Sequence, residues 1–235
     1  MYGGAVAPAG ALSLQLIRQS KVNPVPQPWP HRPATWADVL EYGSPQRGLP
    51  AEVNAWRLRN LPHLWRGWRR VALARSLRLP HFYGQLWLTL IRADGEPVEL
   101  GLASMRVVTT AGVNFLVDAL QGTVEPEILK YHGIGTGTNA EASGDTALQT
   151  ELTTQYSSDN TRATGSLTEG ASANIFRTVG TNTVDATVAI TEHGILSQAA
   201  TGGGTLLDRT VFSAVNMVSA DSLQSTYDLT LTAGS

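Results

Sequence analysis

The spacing of apolar residues changes character near Phe82. Beyond it, Leu86, Leu88 and Leu90 alternate with Gln85, Trp87 and Thr89, the two-residue period of a strand. Asp94 and Gly95 give a hairpin signal, after which Val98, Leu100 and Leu102 resume the alternation. Residues 105–109 are a further strand candidate. Thr110 then precedes Val113, Leu116, Val117 and Leu120 at helical spacing, which predicts a helix ending at Gly122. The strand pattern returns at about 128–134, 162–168, 174–178, 184–191, 206–213 and 223–232, with Gly, Asn, Ser and Asp in the turns between. A short helix over 146–152, capped by Asp145, is expected among them. The last strand is the clearest, Leu223, Ser225, Tyr227, Leu229 and Leu231 alternating with polar neighbours. The expectation is a mainly β fold over residues 82–235: an antiparallel β-sandwich, jelly-roll or immunoglobulin-like, with one or two short helices.

Before Phe82 the pattern is different. Residues 1–56 read as an extended arm punctuated by proline, with one short helix near 36–41 that Thr35 caps and Asp38 completes. Residues 57–81 read as a basic amphipathic helix and linker, with Asn60 as the cap of a helix over 61–79. In that helix Leu61, Leu64, Trp65, Trp68 and Ala72 fall on one stripe, Arg66, Arg69, Arg70 and Arg78 lie mostly off it, and Pro80 ends it. An arm with Trp29, Trp36 and Trp56 has too little core of its own to bury them, so it needs another surface. The candidates for a protein interface are therefore Trp29, Trp36, Trp56, Trp65, Arg66, Trp68, Arg69 and Arg70. A helix docked on its own domain, or one that meets nucleic acid or anionic lipid, carries the same pattern. Deleting residues 1–80 is expected to leave a soluble, folded sandwich that no longer binds its partner surface.

Charge sharpens the division. From Arg18 to Arg106 thirteen cations face six acids, whereas beyond it four cations face thirteen acids, so a formal net charge of −2 hides two halves of opposite sign. All six Trp and eleven of the twelve Pro lie in the first hundred residues. The absence of Cys excludes disulfides and thiolate-bound zinc. No apolar run is long enough for a membrane span and no export signal opens the chain, so no membrane partner and no export are expected.

Candidate chemistry is sparse. Tyr131 to Thr138 includes a glycine run, but no Lys-Ser/Thr follows and the dinucleotide spacing is missing. His132, His193 and Glu192 offer metal-ligand chemistry without the spacing of a ligand set, and no Gly-x-Ser-x-Gly elbow surrounds a serine. The carboxylates are scattered singly. No catalytic, cofactor-binding or metal site and no small-molecule substrate is expected. A sugar-binding module is a further class, disfavoured because no Trp follows Trp87.

The stretch from Arg106 to Asp118 (RVVTTAGVNFLVD), then Lys130 to Gly137 (KYHGIGTG), Ile190 to Leu196 (ITEHGIL), Thr205 to Arg209 (TLLDR) and Asp221 to Thr232, resembles a family of tailed-bacteriophage and prophage structural proteins. The resemblance covers about two-thirds of the chain, and the order of the pieces carries more than any one of them. It implies a β-sandwich, often trimeric, located in the virion and assembled in the host cytoplasm. Its place would be the outside of the capsid, as a cement or decoration protein bound to the major capsid protein, or else a tail, collar or fibre-adaptor station bound to tail or connector proteins.

Overall fold

The computed structural model describes residues 35–78, 81–106, 108–170 and 172–233; Trp29 and the rest of residues 1–34 lie outside them. Nine strands are present among the described residues: β1 (His81–Ile91), β2 (Pro97–Arg106), β3 (Tyr131–Gly135), β4 (Ala163–Thr164), β5 (Thr168–Glu169), β6 (Ile175–Thr183), β7 (Val188–Leu196), β8 (Leu206–Met217) and β9 (Ser222–Thr232). They form two antiparallel sheets, in the orders β2-β1-β9-β6-β5 and β4-β3-β7-β8. Among the described residues three helices accompany them, α1 (Trp36–Gly43), α2 (Ala51–Ser76) and α3 (Thr110–Leu120), with a 3-10 turn at Pro126–Ile128. The mainly β antiparallel sandwich predicted by the alternation is the fold.

The alternation in β1 serves two cores. Leu86, Leu88 and Leu90 point between the sheets, where Ile190, Phe212, Val215 and Met217 meet them. Tyr83 and Trp87 point the other way and pack with Val39, Leu64 and Val71 of the helices. A third cluster, around Phe115, Leu129, Ile195, Leu207 and Leu229, seats α3 and the 3-10 turn. A strand buried on both faces reads as a nearly continuous apolar run, which is why Trp87 stands at a position the simple two-sided pattern would leave wet.

Helix α2 closes the sandwich. Its buried side, Val53, Trp56, Asn60, Leu64, Gly67 and Val71, recurs every three or four residues. Gly67 lets the helix backbone approach the sheet: a Cβ there would lie 1.9 Å from the carbonyl oxygen of Met105. Strands β2 and β8 are edge strands on the same side, and α2 lies across both. Trp56 Nε1 donates to Ser213 O at 2.8 Å, Asn60 Oδ1 accepts from Ser213 N at 3.0 Å, and Asn60 Nδ2 donates to Ala103 O at 2.8 Å. Arg57 Nε donates to Leu100 O at 2.9 Å. Side chains thus satisfy edge groups that a bare sandwich leaves open.

Several expectations are corrected. The short helix expected near 36–41 is present as Trp36–Gly43, but the chain expected to be extended beyond it is helical again from Ala51, and Trp56 is a core residue, so the sandwich domain includes residues assigned to the arm and the linker. Asn60 is not a cap but a buried residue inside α2, which starts at Ala51 and runs through an exposed Pro62. Pro62 is tolerated because the carbonyl it leaves unpaired, that of Leu58, is on the solvent side. The helix expected over 146–152 is absent. Gln149 and Thr150 give their amides to the Glu192 carboxylate instead of a helical ladder. The strand expected over 162–168 splits into β4 and β5, one in each sheet, so the chain crosses between layers there. The capping box of Thr35 and Asp38 and the Thr109 cap of α3 form as local chemistry dictates.

Candidate functional site

Residues 35–78 bring three of the expected interface tryptophans together. Trp36 meets Trp65 edge-on at 4.9 Å and Trp68 at 5.3 Å, while Trp65 and Trp68 stack at 5.2 Å. Trp65 keeps 44% of its surface exposed, while Trp36 and Trp68 are half-buried against the core that holds Val39, Leu64 and Trp87, so the cluster is the partly open rim of that core. Trp56 does not join it, being buried against β8.

The arginines divide. Arg66 and Arg70 both reach Glu141, Arg66 through Nε at 3.1 Å and Nη2 at 2.8 Å, Arg70 through Nη1 at 3.4 Å. They clamp the loop after β3 to α2. Arg69 is exposed, beside an open groove along α2 that Leu73 and Ser76 also line. Leu58, Leu73 and Leu77 were not among the sequence candidates, yet they are exposed by 61%, 62% and 58%. Their separation from one another and from Arg69 by four residues, or by multiples close to helical turns, was the signal available.

The histidines do come together, deep inside the sandwich. Arg106 Nη2 lies 3.0 Å from His193 Nδ1, His193 Nε2 lies 3.0 Å from His132 Nδ1, and His132 Nε2 lies 3.0 Å from Thr178 Oγ1. Arginine can only donate, so His193 Nδ1 accepts and its Nε2 carries the proton given to His132, whose own Nε2–H is donated to Thr178. The chain of bonds has one direction, and both rings are neutral. Burial and the neighbouring Arg106 push the His132 imidazole down to about 3, and burial, Arg106 and His132 push that of His193 well below its ordinary value. Arg106 also donates to Asp208 at 2.6 Å, both side chains fully buried, and lies over the Tyr227 ring at 5.2 Å. Burial raises the Asp208 carboxyl against the opposing pull of Arg106.

Glycines make room for this polar core. A Cβ on Gly165 would meet Thr178 Oγ1 at 2.0 Å, one on Gly180 would meet the His132 ring at 2.5 Å, and one on Gly84 would meet Tyr227 at 2.7 Å. Glu192 belongs to a different network on the other face of the second sheet. Its carboxylate accepts from Gly137 N, Gln149 N and Thr150 N at 2.7 to 3.0 Å and from Arg209 Nε at 2.6 Å. The glycine run is therefore a strand end folded over a carboxylate, and a side chain at Gly137 would collide with Glu192. Arg162 performs the same office lower in the loop, donating to Glu151, Gln198 O and Gly203 O. Among the described residues no group of three His, Cys, Asp or Glu is placed to hold a metal ion, and no helix is long and apolar enough to cross a membrane.

No family model, no curated protein and no solved structure matches the chain.

Proposed function

We propose that the chain is a structural protein of a phage particle, a capsid cement or decoration protein that acts by binding other virion proteins and performs no chemistry. The observation that carries this reading is the cluster of Trp36, Trp65 and Trp68, in which Trp65 is exposed and Trp36 and Trp68 are half-buried, with exposed Arg69 next to Trp68 in α2. Stacked tryptophans beside arginine are the residue types that dominate protein–protein binding energy. The rest of the molecule suits a rigid scaffold. Many of its buried ionisable groups are engaged with one another, Arg106 with Asp208, Arg209 with Glu192 and His132 with His193, which supports a load-resisting body over a reactive one. The motif resemblance points the same way.

The major capsid protein is the expected partner. Particles encoding this chain, imaged at side-chain resolution, should carry it at every lattice position, with the tryptophan cluster in contact with the shell. Density confined to one tail vertex would replace this reading with the tail, collar or fibre-adaptor one. In a sedimentation assay with particles lacking the protein, Trp65→Ala combined with Trp68→Ala should weaken binding by about tenfold or more.

A further inference from the structure

Two helix faces of the described structure are left without a partner, and they differ in sign. On α2 and the Leu77 that caps its C-terminus, the side away from the sandwich carries Leu58, Leu73 and Leu77, each more than half exposed, together with exposed Arg59 and Arg69. The only acid in α2 is Glu52, in its first turn. A surface helix ordinarily shows polar residues opposite its docked stripe, and α2 shows leucines on both sides. On α3, Gly112 and Phe115 dock on the body while Val113, Val117 and Leu120 point outward, 37%, 46% and 90% exposed. Those three positions follow helical spacing, so they form one face. The cations nearest in sequence are Arg106 and Lys130, and between them the exposed charges are Asp118, Glu125 and Glu127.

We infer that the outer face of α2 in one copy binds the outer face of α3 in a second copy. Each face offers an apolar strip of leucine or valine, and the exposed charges are opposite in sign, Arg59 and Arg69 on α2 against Asp118 on α3 and Glu125 and Glu127 in the turn that follows it. Desolvating either strip alone gains little specificity, whereas matching basic with acidic rims fixes which surfaces meet. The contact joins unlike surfaces, so it propagates from copy to copy and closes into a ring if the rotation permits. A polyanion is a poorer occupant of the α2 face, because Leu73 and Leu77 stand within it and a phosphate backbone offers them nothing apolar. The inference deepens the proposed function in assigning α2 to protein contacts, and it names a second copy of the chain as one of its partners.

The test uses the full chain and sedimentation equilibrium. The wild-type protein should be heavier than a single chain at micromolar concentration, and Leu73→Glu or Leu120→Glu should each raise the dissociation constant by about tenfold or more with an unchanged melting temperature. Charge exchange then identifies the pairing. A chain carrying Arg59→Glu and Arg69→Glu has two acidic faces, and a chain carrying Asp118→Lys, Glu125→Lys and Glu127→Lys has two basic ones. Each should be monomeric alone, and an equimolar mixture should associate. Association of the basic variant by itself would overturn the pairing of α2 with α3, as would a monomeric wild-type chain or salt-sensitive binding of duplex DNA by a monomer. Particle sedimentation with Leu120→Glu separates the two ideas, since attachment through the tryptophan cluster survives loss of the α3 contact, and a failure of attachment leaves self-association measurable.

Discussion

The buried bonds from Arg106 through His193 and His132 to Thr178 tie single residues to the pH response of the whole chain. Both imidazoles are held neutral in the fold, His132 down to about 3, while in the unfolded chain they titrate near 6.5. A group whose folded value is depressed contributes its full stability above the unfolded value and loses it as pH falls. These histidines therefore stabilise the fold fully above about pH 6.5 and progressively less toward about pH 3, each at up to about 1.4 kcal/mol per pH unit. Asp208 has the opposite sign, because burial raises it, so its contribution is greatest in acid and declines as pH rises through its folded value. Asp208 offers one opposing proton against two from the histidines. Urea midpoints measured from about pH 4.5 to 7 should fall on the acid side, and His132→Gln, which keeps an acceptor and a donor but cannot charge, should remove about one proton from the slope. An unchanged slope in that variant would mean that His132 is not the neutral link described. The sequence displayed the participants but not the assembly. His132 and His193 are 61 residues apart, and only the antiparallel register of β3 and β7, with Ile134 opposite His193, brings their rings to one interior face.

At the scale of elements, what was legible was set by whether the information is local. Alternation in β1, β2, β8 and β9, the Asp94-Gly95 turn and the capping box at Thr35 act over a few residues and could be read, whereas the cap of α3 is Thr109, one residue before the Thr110 at which the spacing placed its start. The extent of α2 could not. Pro50, Pro62 and Asn60 are locally helix-breaking or helix-capping residues, and the helix runs past two of them because its buried stripe docks on β2 and β8, residues 40 to 160 positions away in sequence. The tryptophan cluster was half legible: the spacing of Trp65 and Trp68 predicts a shared face, while their contact with Trp36 depends on how α1 folds back. Asn60 tests the account of α2 directly. Replacing it with Leu keeps the size and apolar character suited to an interior but leaves Ser213 N and Ala103 O without their partners. Each unmet buried group costs about 1–3 kcal/mol, so Asn60→Leu should destabilise by a few kcal/mol in urea titration. Asn54→Leu, which removes exposed bonds to Gln46, should cost about 0.5 kcal/mol or less. Equal losses would show that the edge bonds made by Asn60 contribute nothing special.

For the whole molecule, the scaffold reaches back from Phe82 through the described residues to Thr35. Trp56 belongs to the cluster that fills the apolar end of the sandwich, Leu64 and Val71 cover the outer face of β1 and β2, and Arg66 and Arg70 hold Glu141 in the loop after β3. Removing residues 1–80 therefore strips one wall from two cores, exposes the β2 and β8 edges, and leaves two open strands of the kind that pair between molecules. The expectation that a sandwich beginning near Phe82 would fold alone is withdrawn on these contacts. A chain beginning at Thr35 keeps all three apolar clusters and the α1 capping box, and it should melt within a few degrees of the full protein with a single cooperative transition. A chain beginning at His81 should be insoluble or should lack slow-exchanging amides in β2 and β8 by hydrogen exchange. If the shorter chain instead showed the protection pattern of the longer one, α2 would be a passenger on the sandwich. With the Thr35 chain folded and soluble, particle sedimentation isolates what residues 1–34 add, because the tryptophan cluster is present in both proteins and only the segment bearing Trp29 differs.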